Sequence, residues 1–416
     1  MKKFISYIVI VYLVFSAACS QPNTDEKANE RARAFKEGEF GYDLQFLKKQ
    51  DSSLVVLKDG ESQILVSPKY QAKVFTSTAN GENGQSFGWI NYKAFGKQDV
   101  HMNAYGGENR LWLGPEGGKF SLFFKPESRM VFENWKTPPP FDTESWSVNT
   151  RDSISVSMSK KMSILNYAGK QMELKVVRTV FILGRQEIIR RTGVKESESL
   201  KAVGYETDNQ LTNIGDREWT ASTGMPCIWI LDMFKPSLST FIVVPFKNQG
   251  GTDFTKIVTA NYFGEIPSNR IKHTDSLLFF IADGKSRGKL GITANSAKKM
   301  AGSYDAEHKV LTIISFTVYA GKPYLNQEWN ITKPSFSGDA VNAYNDGPLA
   351  DGTQMGPFYE IESVSPAAFL KPGGLIDHTH TVFHFSGDEK ALNEIAISML
   401  GVTLEKVKKS FDAVHN

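Results

Sequence analysis

An all-β fold, a large antiparallel sandwich or barrel with short C-terminal helices, is what this sequence predicts. Three observations lead there. Short apolar stretches rich in Val, Ile, Phe, Tyr and Thr recur at short intervals from about Ser52. Asp-Gly, Gly-Gly and Asn-Gly pairs punctuate them, in KDGE, ANGE, YGGE and ADGK, and such pairs favour the tight turns of hairpins. Strict alternation of strand and helix is absent, which argues against a doubly wound parallel sheet. The 416 residues are 41% hydrophobic and 12% aromatic, ample for a large core, and large β-sandwiches run longer than the average domain.

The chain opens on MKKFISYIVIVYLVFSAAC. Lys2 and Lys3 form a basic start, an apolar run from Phe4 to Phe15 follows, and Ser-Ala-Ala precedes Cys19. Residues 1–18 therefore read as a secretory signal, too short for a stable membrane span. The small residues before Cys19 fit a bacterial lipobox, although Ser16 stands where an aliphatic residue is usual. The expectation is cleavage before Cys19, lipidation of that residue, and attachment to the cell envelope through the lipid alone. Residues 19–30 are polar and read as a flexible tether. Residues 31–416 are expected to form a single domain.

Within that domain, residues 30–50 predict short helical turns, with Phe35, Phe40, Leu44 and Phe46 reaching the core. Strands are expected in the apolar stretches at 52–59, 62–68, 70–78, 87–95, 111–124, 153–159, 161–169 and 172–183. Further strands are expected at 227–234, 239–246, 276–283, 309–319 and 358–363. Pro138–Pro140 reads as a rigid loop. From about residue 388 the period changes. Leu392, Ile395 and Met399 follow helical spacing up to Gly401, a natural C-cap. Leu404, Val407 and Phe411 repeat the pattern behind Thr403, a candidate N-cap.

Charge and motifs exclude several functions. The net charge of +3 falls to +1 without the two leader lysines, so no electrostatic footprint for nucleic acid exists. There is no phosphate-cradling Gly-rich loop, no His-Glu-x-x-His, no Cys-x-x-Cys and no Gly-x-Ser-x-Gly. Of two cysteines, Cys19 is assigned to lipidation, which leaves Cys227 in an apolar run as a buried, inert thiol.

Three stretches carry candidate chemistry. Residues 101–124 place His101, Glu108, Arg110, Trp112 and Glu116 among paired glycines. An aromatic face can cover the C–H patch of a pyranose while Arg and Glu bind its hydroxyls. Equally, Arg110 could pair with a nearby Glu and Trp112 could be core. Residues 342–363 place Asn345 and Asp346 before a glycine-rich loop that leads into a strand. On that strand Glu360 and Glu362 share one face, while Tyr359, Ile361 and Ser363 share the other. That carboxylate face is either wet or lines a cleft, where mutual repulsion raises one pKa and creates a general acid or base. In DHTHTVFHF, His378, His380 and His384 share one strand face. Such spacing can bind zinc, but satisfied or solvent-facing histidines on an ordinary strand account for it, so no metal and no cofactor are expected.

The block YEIESVSPAAFLKPGGLIDHTHTVFHF resembles the closing strands of galactose-mutarotase-like proteins: a strand ending in glutamate, a loop, then Leu-x-Pro-Gly opening a final strand with His and Thr. RLWLGPEGGKFSLFF resembles the strand after the first sugar-contacting loop of that superfamily. Together with GSYDAEHKVLTI and NDGPLADGTQMGPFYEIES, these blocks are similar to an uncharacterised family of Bacteroidetes lipoproteins. The resemblance implies a supersandwich of many antiparallel strands with a carbohydrate groove. By position it implies Glu362 or Glu360 as the base that deprotonates an anomeric hydroxyl, and Arg110 as a substrate contact. The family's acid histidine, in a His-x-Tyr-Phe-Asn pattern, is missing: ANYFG has Ala260 and Gly264 at the corresponding places. His101 is the candidate replacement. The expectation is therefore a carbohydrate-binding lipoprotein, with Glu362, Glu360 and His101 as candidate catalytic residues. Arg110, Trp112, Glu116, Asn345 and Asp346 are the candidate sugar contacts. The alternatives are a non-catalytic glycan-binding or structural envelope protein, and a lyase using Tyr105 with Arg110.

Overall fold

The computed structural model describes residues 34–412 except 196, 198, 249, 250 and 252. The predicted signal peptide, Cys19 and the tether lie outside the described residues. In chain order the elements are α1 (Phe40–Gln50), β1 (Val55–Asp59), β2 (Ser62–Ser67), β3 (Lys73–Thr78), β4 (Arg110–Gly114), β5 (Ser147–Arg151), β6 (Ser155–Leu165) and β7 (Gln171–Ile182). Then come α2 (Arg185–Thr192), β8 (Leu200–Asn213), β9 (Cys227–Phe234), β10 (Thr240–Pro245), β11 (Val258–Thr259), β12 (Ile271–His273), β13 (Leu277–Ile281) and β14 (Gly288–Thr293). The chain closes with β15 (Met300–Asp305), β16 (Val310–Phe316), β17 (Asp339–Asn345), β18 (Tyr359–Val364), β19 (Leu375–Gly387), α3 (Glu389–Leu400) and α4 (Leu404–Lys409).

The strands form three antiparallel sheets. The largest has ten strands in the order β12-β13-β10-β15-β16-β19-β8-β7-β6-β5. The second has six, β11-β14-β17-β18-β9-β4, and the third three, β1-β2-β3. Alternation decides what each face buries. Ile230 and Ile361 of the six-stranded sheet meet Ile314 and Val382 of the ten-stranded sheet in one core, which also takes Leu57, Ile64 and Val74 from the small sheet. The all-β, antiparallel architecture with short C-terminal helices is thus what the sequence predicts.

The helices follow their local signals. Asp388 caps α3 by accepting from the Ala391 amide, and Gly401 ends it in the left-handed region at φ 72°. Thr403 caps α4 through the Lys406 amide. Both helices pack Leu392, Ile395, Leu404 and Val407, with α2 and its Ile188, in a second core that includes Tyr304, Leu311, Ile313 and Phe383 of the ten-stranded sheet. That sheet is therefore covered on both faces.

Some elements differ from the sequence reading. Residues 40–50 form one continuous helix, with Phe40 and Leu44 buried as expected. Residues 87–95 make isolated bridges and a short turn of helix at Tyr92–Ala94 instead of a strand. Only Arg110–Gly114 of the long 111–124 stretch is strand, because the Gly117-Gly118 pair starts a loop that returns Phe120, Phe123 and Phe124 to the core. The stretches at 153–159 and 161–169 merge into the single strand β6.

Candidate functional site

The outer face of the six-stranded sheet carries a cleft of about 150 Å³. Its floor is dictated by register. Lys289, Tyr344, Glu360 and Met233 sit side by side across four strands, and Gly291, Asn342, Glu362, Leu231 and Arg110 form the next row. Trp112 and Trp229 pair across β4 and β9 in a third row. Successive residues of each strand point to opposite faces, so all of these project from the face opposite Ile230 and Ile361.

The two carboxylates are held by crossed ion pairs. Glu360 accepts from Arg110 Nη2 at 2.5 Å, although Arg110 lies in the row of Glu362. Glu362 accepts from Lys289 Nζ at 2.9 Å, although Lys289 lies in the row of Glu360. Diagonal neighbours on a pleated sheet are within reach of long side chains, which permits this crossing. Glu362 also accepts from Trp229 Nε1 at 2.8 Å. The cations lie over aromatic faces, Arg110 over Trp112 at 5.0 Å and Lys289 over Trp229 at 4.6 Å.

Loops raise the walls. Phe132, Trp135, Phe263, Trp329, Met355 and Phe358 close around the floor, and Glu116 enters from the loop after β4. Trp135 and Trp329 stack at 6.1 Å. The result is an aromatic chamber with cations and carboxylates at its base.

Burial shapes the acid–base chemistry. Desolvation pushes the Glu360 carboxyl up to about 8; Arg110 opposes the rise and the charge of Glu362 adds to it. Desolvation also raises Glu116, against the pull of Lys289. Arg110 Nε and Glu362 Oε1 are buried without a hydrogen-bond partner, as are both side-chain polar atoms of Asn342. Unpaired buried polar atoms are costly, and a cluster of them beside a cleft marks capacity for water or ligand.

The structure brings Arg110, Trp112, Glu116 and Glu360 to the cleft lining, with Glu362 fully buried in the floor beneath them. His101 is placed elsewhere. It lies tilted against the Phe132 ring at 4.4 Å, its Nδ1 meets the Trp135 carbonyl at 2.7 Å, and it is not among the lining residues. Asn345 faces away from the cleft, holding the Gly284 amide at 2.9 Å and the Ser286 carbonyl at 2.9 Å. Asp346 accepts from the Gly356 amide and from Tyr344 Oη, so it ties the loop that carries Met355. Tyr105 packs against Tyr70, Phe75 and Phe95 in a separate aromatic cluster, and the pair it was to form with Arg110 in the cleft is not assembled. Glu108 lies between the sheets, bonded to Ser77 and His384.

The histidine trio is also internal. Ser363 Oγ bridges His378 Nε2 and His380 Nδ1, each at 2.7 Å. His380 Nε2 reaches Asp232 at 2.7 Å, and Asn109 joins Asp232 to the buried Arg178. His384 lies between Glu108 at 3.0 Å and Thr312 at 2.8 Å. These buried histidines are on the core side of β19, not facing solvent; all their ring nitrogens but His378 Nδ1 have a partner. Among the described residues no group of three or more His, Cys, Asp or Glu is arranged to hold a metal. Cys227 is buried, and desolvation pushes its thiol up to about 12, as an inert core cysteine should be.

Sequence reasoning missed Lys289, Trp229, Trp135 and Trp329. Lys289 had a signal: a lone lysine in GKLGIT with hydrophobic neighbours. The two loop tryptophans had none, since sequence gives no reach for a loop.

Fold and site together define an antiparallel β protein with an aromatic-walled, acid- and base-lined cleft on one sheet. Residues 38–411 match the family model described as a family of unknown function, DUF6786, and the chain belongs to that family. No curated protein matches it in sequence. Solved structures similar to it include a candidate aldose 1-epimerase from Escherichia coli, at 10% identity and TM-score 0.49, covering 80% of this chain and 98% of the other. A galactose mutarotase-like protein from Lactobacillus casei gives 10% identity and TM-score 0.46, over 80% and 99%. A galactose mutarotase related enzyme from Lactobacillus acidophilus gives 10% identity and TM-score 0.43, over 80% and 97%.

Proposed function

We propose that the cleft binds a sugar ring and that its carboxylates move a proton at the anomeric centre, in the manner of an aldose epimerase. One observation carries this reading: Glu360, paired with Arg110, stands at the base of a chamber walled by tryptophans. Aromatic faces suit the C–H surfaces of a pyranose, and charged groups at the floor suit its hydroxyls. Both carboxyls at the cleft are raised, but they differ in partner. Arg110 contacts Glu360 and opposes the rise, so that its ionised form gains ground as pH approaches about 8. Glu116 has no salt bridge of that kind, and burial favours its protonated form.

The step follows from that difference. Glu360 in its ionised form, which grows as pH rises through about 8, takes the proton of the anomeric hydroxyl, and the electrons of that O–H bond form the carbonyl. The bond from the anomeric carbon to the ring oxygen breaks, and the ring oxygen takes the proton of Glu116. After rotation the hydroxyl adds back to either carbonyl face, and both protons return. Divergent environments for two carboxyls are a recurrent way to assign base and acid.

The test is a glycan array followed by polarimetry on each sugar that binds. Mutarotation faster than the spontaneous rate, lost in Glu360→Gln with binding kept, is the expected result. Binding with no acceleration selects the second reading, a non-catalytic glycan-binding protein. That reading is favoured by the absence of any histidine from the cleft lining. No sugar bound at millimolar concentration overturns both.

The same proposal places the protein at the cell envelope as a lipoprotein anchored through Cys19. It is supported by the basic, apolar and small-residue order of the first nineteen residues. Mass spectrometry of the mature N-terminus tests it: a diacylglyceryl-modified Cys19 is expected, and an unmodified mature chain overturns it.

A further inference from the structure

A second concavity, of about 930 Å³, opens beside the cleft. Met102 and Met355 line both, so the two spaces adjoin. The wall between them is a ring pair, Trp89 on the groove side and Phe358 on the cleft side, with centroids 4.7 Å apart. The two spaces differ in character. The cleft is small and closed in by aromatics. The groove is several times larger and is bordered along one side by the segment from Asn91 to Met102.

That segment has unspent polar capacity. The side-chain amides of Asn91 and Gln98 make no hydrogen bond within the described chain, and neither do the ammonium groups of Lys93 and Lys97. An amide offers two donors and an acceptor, which matches the mixed donor and acceptor character of sugar hydroxyls. The backbone beneath is fixed: the Asn91 amide donates to the Tyr105 carbonyl at 3.0 Å, and Asp99 holds the His101 amide at 2.7 Å. The groove is therefore a shaped surface with free hydrogen-bonding groups, leading out of a chamber sized for one ring.

We propose that the ligand is a linear oligosaccharide or polysaccharide whose terminal ring enters the cleft while the following rings lie along the groove, against Asn91 and Gln98. This deepens the sugar-binding reading of the cleft and rests on it. The cleft, about 150 Å³ against about 930 Å³ for the groove, takes one ring and the groove the rest of the chain.

The experiment is isothermal titration of the full chain with cello-, manno-, xylo- and galacto-oligosaccharides from monomer to hexamer, chosen after the array. For the sugar that binds, affinity is expected to rise about tenfold or more from monomer to tetramer, as two or three added hydrogen bonds provide. The double variant Asn91→Ala, Gln98→Ala should bring oligomer affinity down to the monomer's while leaving monomer affinity unchanged. Both residues lie on a surface loop and outside the cleft, so folding should survive; a melting curve matching the parent's checks this. Equal affinity for monomer and oligomer overturns the groove and leaves the cleft reading intact. Oligomer affinity that rises but is unmoved by the double variant overturns the assignment of the groove. Failure of every saccharide to bind overturns the cleft reading and this inference with it.

Discussion

Two regions of this molecule bury acids beside bases, and they do so to opposite ends. Between the sheets, Asp232 pairs with His380 and Glu108 with His384, in a network that continues through Ser363, Asn109 and Arg178. On the outer face of the six-stranded sheet, Glu360 pairs with Arg110 and Glu362 with Lys289. The two sets are one residue apart along the same strands: Asp232 faces inward between Leu231 and Met233, and Ser363 faces inward beside Glu362. Strand alternation alone assigns one set to cohesion and the other to a cavity. Charge pairing by itself therefore says little about function; the face on which it occurs says much more.

The largest effect should come from breaking the inner set. Arg178→Met leaves the Ala72 carbonyl, Asn209 and Asn109 without their buried donor, and each buried polar group left unsatisfied costs about 1–3 kcal/mol. Urea denaturation should show that loss, and a loss under about 1 kcal/mol would mean the inner network is not cohesive. Next comes Glu360→Gln, which should lower any mutarotation rate by about a hundredfold or more while moving the denaturation midpoint far less than Arg178→Met does. Equal stability losses in the two variants would erase the distinction drawn here.

A pH series sharpens it further. The folded-state pKa of Glu360 is raised, to about 8 from 4.5. The native state therefore holds a proton that the unfolded chain has released between those values, so this group's contribution is full below pH 4.5 and is lost as pH rises through 8. Relative to Glu360→Gln, the parent should lose stability across that window, and parallel curves for the two would refute the shift. Trp112→Ala should weaken sugar binding by about tenfold, the worth of one aromatic platform, as read by titration. The smallest effect should be at His101. Its Nδ1 is engaged by the Trp135 carbonyl, so His101→Gln should change sugar affinity by less than about twofold.

Most of the framework was legible because it obeys local rules. The cap at Asp388, the left-handed Gly401 and the buried Leu392 and Ile395 are what residue spacing implies. Glu360 and Glu362 share a face because alternation requires it. Other parts were not legible. The strand β8 hides in KAVGYETDNQLTN because its inward row after Val203 and Tyr205 includes Thr207, Asn209 and Asn213, of which the first two serve the inner network and Asn213 holds loop carbonyls. The helix α2 is eight residues, half of them charged, and it is held by burying Ile188 and Thr192. For the site, Arg110 and Glu360 are 250 residues apart in sequence, and only the register through β9 brings them together. Asn345 is the last residue of β17, and alternation turns it to the face opposite Tyr344, while Asp346, just past the strand, is spent on the Gly356 amide.

The division of labour between sheet and loops has an evolutionary consequence. Arg110, Glu360, Glu362 and Lys289 are anchored by strand pairing, whereas Phe132, Trp135, Phe263, Trp329 and Met355 arrive on connections outside the strands. Insertion or exchange in those connections would resculpt the chamber without altering the ladder beneath it. One chassis of this kind can serve relatives with different tastes, because what is recognised and what reacts are written in separable parts of the chain.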